Sequence, residues 1–407
     1  MPDTTRSDVA TRLIHDSYRP PAGFESVQPP VYKASTVLFA DTAALRASRW
    51  EDRSGYTYGL HGTPASYLLE QRIAALEGAS HCLLAPSGLA AISVTALALL
   101  SQGDEVLLPD NVYGPNKALS QELLRRYGIG CGLYDPMDAQ DLAARIGKAT
   151  RLVWLEPPGS VTMEFPDLPA LVRVCQERAV ATALDNTWGA GLAFAPFDLL
   201  GDASLGVDVS VHALTKYPSG GGDLLMGAIS TRSSALHERI QRCHMHLGMG
   251  VAGNDVEAVL RALPGMALRY RAQDAAAREL ARWMQGQGAV AQVLHPALAG
   301  SPGHAHWQLL CAPGGEGLAA GIFSVVIDAR YTGAQVDAFC DALQHFRLGY
   351  SWGGPLSLVM PYQLAAMRGR APAQLAPGTV VRFAIGLEGV QDLRADLAQA
   401  MERVFGL

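Results

Sequence analysis

A chain of 407 residues, almost half of them apolar, can bury a large core and is long enough for two or more domains. Its net charge of −6, with Lys and Arg scattered along the sequence, provides no broad positive field for nucleic acid or an acidic membrane. The first twenty residues lack a basic cap followed by an apolar core, the longest apolar run (89–100) is too short to span a bilayer, and the six separated cysteines read as reduced thiols. The cytoplasm is therefore the expected compartment.

Residues 1–62 are rich in Pro, Ser, Thr and short polar turns without a sustained period, which predicts an arm that lies on something else. From Thr63 short apolar runs alternate with helical segments. Helices are predicted at 66–77 and 88–100, and strands at 82–85, 105–108, 152–155, 181–184, 207–211 and 225–229. Strands apolar on both faces and separated by helices predict a mostly parallel sheet sandwiched by helices, an α/β domain over 63–255. His244 and His246 lie in a helical stretch with no cysteine or carboxylate signature nearby and read as helix surface, so no metal site is expected. Beyond it, 255–285 reads as one long helical region, followed by strands at 322–327 and 380–385. Val390, Leu393, Leu397, Met401 and Val404 then make one face of a closing helix. This second texture predicts a smaller α+β domain over 256–407.

The chemistry gathers just after the predicted strands, where ligands sit in open α/β sheets. Lys216, in Val-His-Ala-Leu-Thr-Lys-Tyr, could form a Schiff base with an aldehyde, of which pyridoxal phosphate is the common protein-bound example. Asp185 could hold the pyridine nitrogen protonated, or simply cap the next turn. Ser87, Gly88 and Leu89 join a strand to a helix and make an anion cradle of backbone N–H groups, to which Thr215 could add a hydroxyl. Tyr113 could stack on a planar ring and meet an incoming amine, or serve only in packing. Arg382 sits on an otherwise apolar strand. It suits either the carboxylate of an amino-acid substrate or a buried ion pair.

Taken together, YTYGLHGTPA, APSGLAA, NVYGPN, LEPPGSVTMEFPDLP, LDNTWG, HALTKY, YSWGG and RFAIGLE resemble, in order, the Cys/Met-metabolism branch of the fold-type I pyridoxal-phosphate enzymes. The resemblance covers nearly the whole chain. It implies a seven-stranded-type sheet, Lys216 as the Schiff-base lysine, Asp185 at the ring nitrogen, and Tyr113 stacked on the ring. It likewise implies a phosphate cradle of Ser87, Gly88, Leu89 and Thr215, with Tyr58 reaching the phosphate of a neighbouring subunit. Ser351 and Trp352 would line the substrate pocket and Arg382 would clamp the α-carboxylate. PGSVTMEFPD and YSWGG are most similar to the β-cleaving branch, which implies scission of the Cβ–S bond of L-cystathionine to homocysteine, pyruvate and ammonia. A γ-acting relative, or a non-catalytic cofactor-binding regulator, is the alternative. The implied partners are a small amino-acid substrate and further copies of the chain, a dimer of dimers in many relatives, with no nucleic acid or membrane. Two positions depart from the family pattern: Leu60 stands where many relatives have a phosphate-binding arginine, with His61 beside it, and Ala213 where some have a serine.

Overall fold

The computed structural model describes residues 9–14, 18, 22–23, 26–53, 55–368 and 372–406. The reading that the first twenty residues form no leader falls largely outside these. Two short helices open the described chain, α1 (Val9–Ile14) and α2 (Thr42–Ala47), and a single bridge joins Thr36 to Tyr58. The first long helix, α3 (Pro64–Glu77), starts where its sequence dictates. Thr63 and Ser66 form a reciprocal capping box, and Pro64 occupies a first-turn position whose missing N–H costs nothing.

A seven-stranded sheet follows. Its strands are β1 (His81–Ala85), β2 (Glu105–Pro109), β3 (Gly130–Tyr134), β4 (Thr150–Leu155), β5 (Ala181–Asp185), β6 (Val209–His212) and β7 (Gly227–Thr231). They run in the order β1-β7-β6-β5-β4-β2-β3, and only β7 is antiparallel to its neighbours. Helices cover the faces: α4 (Gly88–Leu99), the short α5 (Gly114–Ala118), α6 (Ala139–Arg145), α7 (Leu168–Glu177) and α8 (Ser234–His246). The mostly parallel sandwich expected from the two-sided apolar strands is thus present. Its interior strand β4 is buried along nearly its whole length, with Trp154 at 1% exposure.

Helices α9 (Gly253–Ala262) and α10 (Met266–Met284) lead to a second sheet. The single helix expected over 255–285 is interrupted by a tight turn at Leu263–Gly265. Pro264 has no N–H to continue the ladder and is followed by a glycine. The second sheet contains β8 (Val290–Leu294), β9 (Ile322–Asp328), β10 (Arg347–Leu348), β11 (Leu358–Tyr362) and β12 (Gly378–Ala384), ordered β10-β11-β12-β9-β8. Helices α11 (His304–Cys311), α12 (Gly333–Ala342), α13 (Leu364–Met367) and α14 (Val390–Phe405) complete this part. Leu393, Leu397 and Met401 of α14 are buried with Phe339, Phe346 and Phe383 in one apolar cluster, as the spacing of the closing helix requires.

One surface reading is corrected. His246 is exposed, but His244 is buried on the inner side of α8, where its Nε2 lies 2.6 Å from the carbonyl oxygen of Leu84 in β1. Packing the helix on the sheet places Ile240, Gln241 and His244 on one inward face. No group of three or more potential metal ligands occurs among the described residues.

Candidate active site

Five strands of the large sheet end on one cleft of about 550 Å³, which the second sheet closes with residues of β9, β11 and β12. Ser87, Gly88, Leu89, Tyr113, Asp185, Thr215, Lys216, Trp352 and Arg382 all line it, so residues spread over some three hundred positions converge. Ser351 reaches the same place through Lys216, whose Nζ donates to its Oγ at 2.9 Å. Tyr58 does not join them. It is 44% exposed, and its phenol oxygen accepts from Ser35 at 3.2 Å.

Lys216 lies four residues beyond β6 in a tight turn, its N–H bonded to the Ala213 carbonyl. Trp352 holds its ring centre 5.6 Å from the amine. The YSWGG segment can pass this close because Gly353 has φ +77° and a side chain there would meet the Lys216–Tyr217 backbone at 3.0 Å. Burial, and then the nearby Arg382, push the amine down to about 8 against the opposing pull of Asp185. This lysine is therefore far easier to deprotonate than a surface one.

Asp185 ends β5, and its Oδ1 accepts from the Thr187 N–H at 3.0 Å. It does cap the next turn, and it also lines the cleft. Opposite stands Glu156, which the sequence reading passed over inside LEPPGS. Its carboxylate accepts from the N–H groups of Tyr113 (2.8 Å) and Ser160 (3.0 Å) and from the Ser160 hydroxyl (2.5 Å). Burial raises the pKa of both acids, and for Glu156 the charge of Asp185 raises it further. Two acids crowded in this way are stabilised by a cation arriving between them. The Tyr113 phenol is also pushed up, first by burial and then by these two carboxylates.

The strand-to-helix turn after β1 presents the N-terminus of the twelve-residue α4, capped by Ser87 Oγ accepting from Ala90 N–H at 3.0 Å. Gly88 is obligatory here, since a Cβ would fall 2.7 Å from that of Ala213. The Thr215 hydroxyl is engaged by the Met226 backbone, accepting from its N–H at 3.0 Å and donating to its carbonyl at 3.2 Å.

Arg382, 7% exposed, donates from Nη1 to the Ser160 carbonyl at 3.0 Å and lies 5.2 Å over the Tyr362 ring. Among the described residues no carboxylate stands within ion-pair distance of it, so the buried ion pair weighed from sequence is not what holds it. Its charge remains available for a ligand anion. Thr187, inside LDNTWG, also lines the cleft, as do Tyr362 and Met367, which no strand-end motif marked.

A helix N-terminus facing an open cleft, a buried amine, crowded carboxylates awaiting a cation and an arginine without an acid partner fit pyridoxal phosphate. These are the marks of an α/β enzyme that works on amino acids through that cofactor. The chain belongs to the Cys/Met metabolism PLP-dependent enzyme family, whose model matches residues 10–402. It is 37% identical to the cystathionine beta-lyase of Bordetella avium, over 99% of this chain and all of that one. It is 31% identical to an L-alanine/L-glutamate racemase of Wolbachia pipientis, with 93% of each chain covered. Among solved structures it is similar to metB of Corynebacterium glutamicum, with 27% identity, a TM-score of 0.86, and 98% and 99% of the two chains covered.

Proposed function

We propose that this protein cleaves the Cβ–S bond of L-cystathionine by β-elimination, releasing homocysteine, pyruvate and ammonia. The observation that carries this reading is the shared cleft of Lys216 and Arg382, an easily deprotonated amine beside an arginine with no acid partner. Similarity to a cystathionine beta-lyase along the full chain supports it. The bound cofactor supplies an electron sink for the pair left behind when the α-proton departs.

The chain supplies the remainder. Arg382 binds the α-carboxylate bidentately and so orients the α-hydrogen toward Lys216. Lys216, whose neutral form burial brings within reach near physiological pH, removes that proton. As the Cβ–S bond breaks, the electron pair leaves with sulfur, Lys216 or Tyr113 returns a proton to it, and water hydrolyses the released three-carbon enamine to pyruvate and ammonia. With the cofactor bound, Asp185 would hold the proton on the ring nitrogen, Ser87, Gly88, Leu89 and Thr215 would hold the phosphate, and Tyr113 would pack against the ring. Ser351 and Trp352 line the substrate pocket beside the Lys216 amine. The Leu225, Tyr350 and Met367 side of the cleft is apolar, which supports acceptance of other cysteine thioethers.

Tyr58, exposed and away from this cleft, is assigned to the cleft of a second copy, making the working unit at least a dimer and, by our reading, a tetramer. The arm (1–62), the cofactor domain (63–255) and the C-terminal domain (256–407) are the corresponding division. Six unpaired thiols support a cytoplasmic setting.

Product identification decides the reaction. Pyruvate with homocysteine from L-cystathionine is expected, and Lys216→Ala should lower its rate by about 10³-fold or more. Formation of 2-oxobutyrate with cysteine would establish γ-cleavage instead. Interconversion of alanine enantiomers without pyruvate would establish racemisation.

A further inference from the structure

A second ionisable cluster lies just behind the cleft. Asp185 and Val211 are register partners on β5 and β6, and both line the cleft. Strand alternation turns the next residues, Asn186 and His212, the other way, where they meet Glu77 at the end of α3. Glu77 Oε2 accepts from Asn186 Nδ2 at 2.9 Å and from Ser210 Oγ at 2.8 Å. Its Oε1 is 3.1 Å from His212 Nδ1, and both side chains are all but completely enclosed, at 0% and 1% exposure. That approach is an ion-pair contact and not a hydrogen bond: neither His212 nitrogen, nor Glu77 Oε1, has a hydrogen-bond partner among the described residues.

Asn186 and Ser210 are neutral donors, and among the described residues the one group able to carry positive charge within ion-pair distance of this buried carboxylate is His212. An uncompensated carboxylate at this depth would be costly. The imidazole in turn stands close enough to Asp185 for its charge to favour the ionised carboxylate. Burial opposes that charge, hydrogen bonds from Thr187 favour it most, and of the other groups near Asp185 (Glu156, Tyr113 and Lys216) only the lysine adds to the effect of His212.

We propose that Glu77 and His212 form a charged pair whose positive end keeps Asp185 ionised, making His212 a positioning residue for the proton on the cofactor's ring nitrogen. This rests on the assignment of Asp185 to that nitrogen. A purely structural role for the pair would affect folding and leave the behaviour of bound pyridoxal phosphate unchanged.

The test uses holoenzyme carrying His212→Gln, Glu77→Gln, both together, or Asp185→Asn. The readouts are the pH titration of the cofactor's visible absorbance, its dissociation constant, kcat and KM. For His212→Gln we expect kcat and cofactor affinity each to fall about tenfold, the absorbance titration to shift, and KM to stay within about threefold because Arg382 is untouched. Glu77→Gln should match it, and the double variant should be no worse than either alone, as for two residues acting as one unit. If Glu77→Gln does not fold, His212→Asn takes its place. If Asp185→Asn changes the titration and kcat but His212→Gln changes only thermal stability, the proposal is overturned. If Asp185→Asn itself alters neither, the assignment of Asp185 falls first and the proposal with it.

Discussion

Arg382 and Lys216 show how one buried cleft makes two cations useful in opposite ways. Arg382 stays charged and has no acid partner among the described residues, so its binding energy goes to an incoming carboxylate. Arg382→Lys keeps the charge and loses the planar fork. We expect KM to rise about 10-fold to 100-fold with a smaller fall in kcat, read from steady-state kinetics. Lys216 is held near 8. In cofactor-free protein its folded pKa lies below the unfolded value, so the unfolded state binds more protons between these two values and stability rises with pH across that window. Lys216→Met removes the cost of the buried charge. The variant should be more stable than the parent by about 2 kcal/mol at pH 6–7, with the gap closing above about pH 10.5, as measured by denaturant unfolding of apoprotein.

At the scale of elements, the wall of the cleft hangs on a small ionic strap. Arg368, just after α13, places Nε 3.3 Å from Asp110 and Nη1 2.5 Å from Glu164. Lys117 Nζ donates to the Met367 carbonyl at 2.9 Å and to Asp110 Oδ1 at 3.0 Å. Met367, whose carbonyl this strap holds, lines the cleft. Arg368→Ala leaves two buried carboxylates short of a partner, so a loss of about 3 kcal/mol is expected in denaturant unfolding. A several-fold rise in KM should accompany it as the wall loosens; an unchanged KM would make the strap purely structural. Elements also differ in how clearly the sequence announces them. Strands β1, β2, β4 and β5 are legible because their apolar residues face helices on both sides. In contrast, β3 is hidden by Gly130 and Gly132, which carry no side chain to mark a face. The break at Pro264 was masked by helical patterning on either side of it.

For the whole molecule, a complete site needs more than one chain if Tyr58 serves a neighbour. Sedimentation should therefore give at least a dimer, and Tyr58→Phe should weaken cofactor retention about tenfold while leaving the assembly intact. An active monomer would refute the assignment. The sequence by itself determined the alternation of buried strands with helices in the large domain, the lysine, aspartate and glycine turns at strand ends, and the family, because each is written in local spacing or in contiguous motifs. Tertiary structure alone decided that Glu156 faces Asp185, that Arg382 has no acid partner, that His244 is inside, and that Glu77 meets His212 across 135 positions. Burial and charge coupling arise when distant segments pack together and water is excluded between them; no local pattern records them.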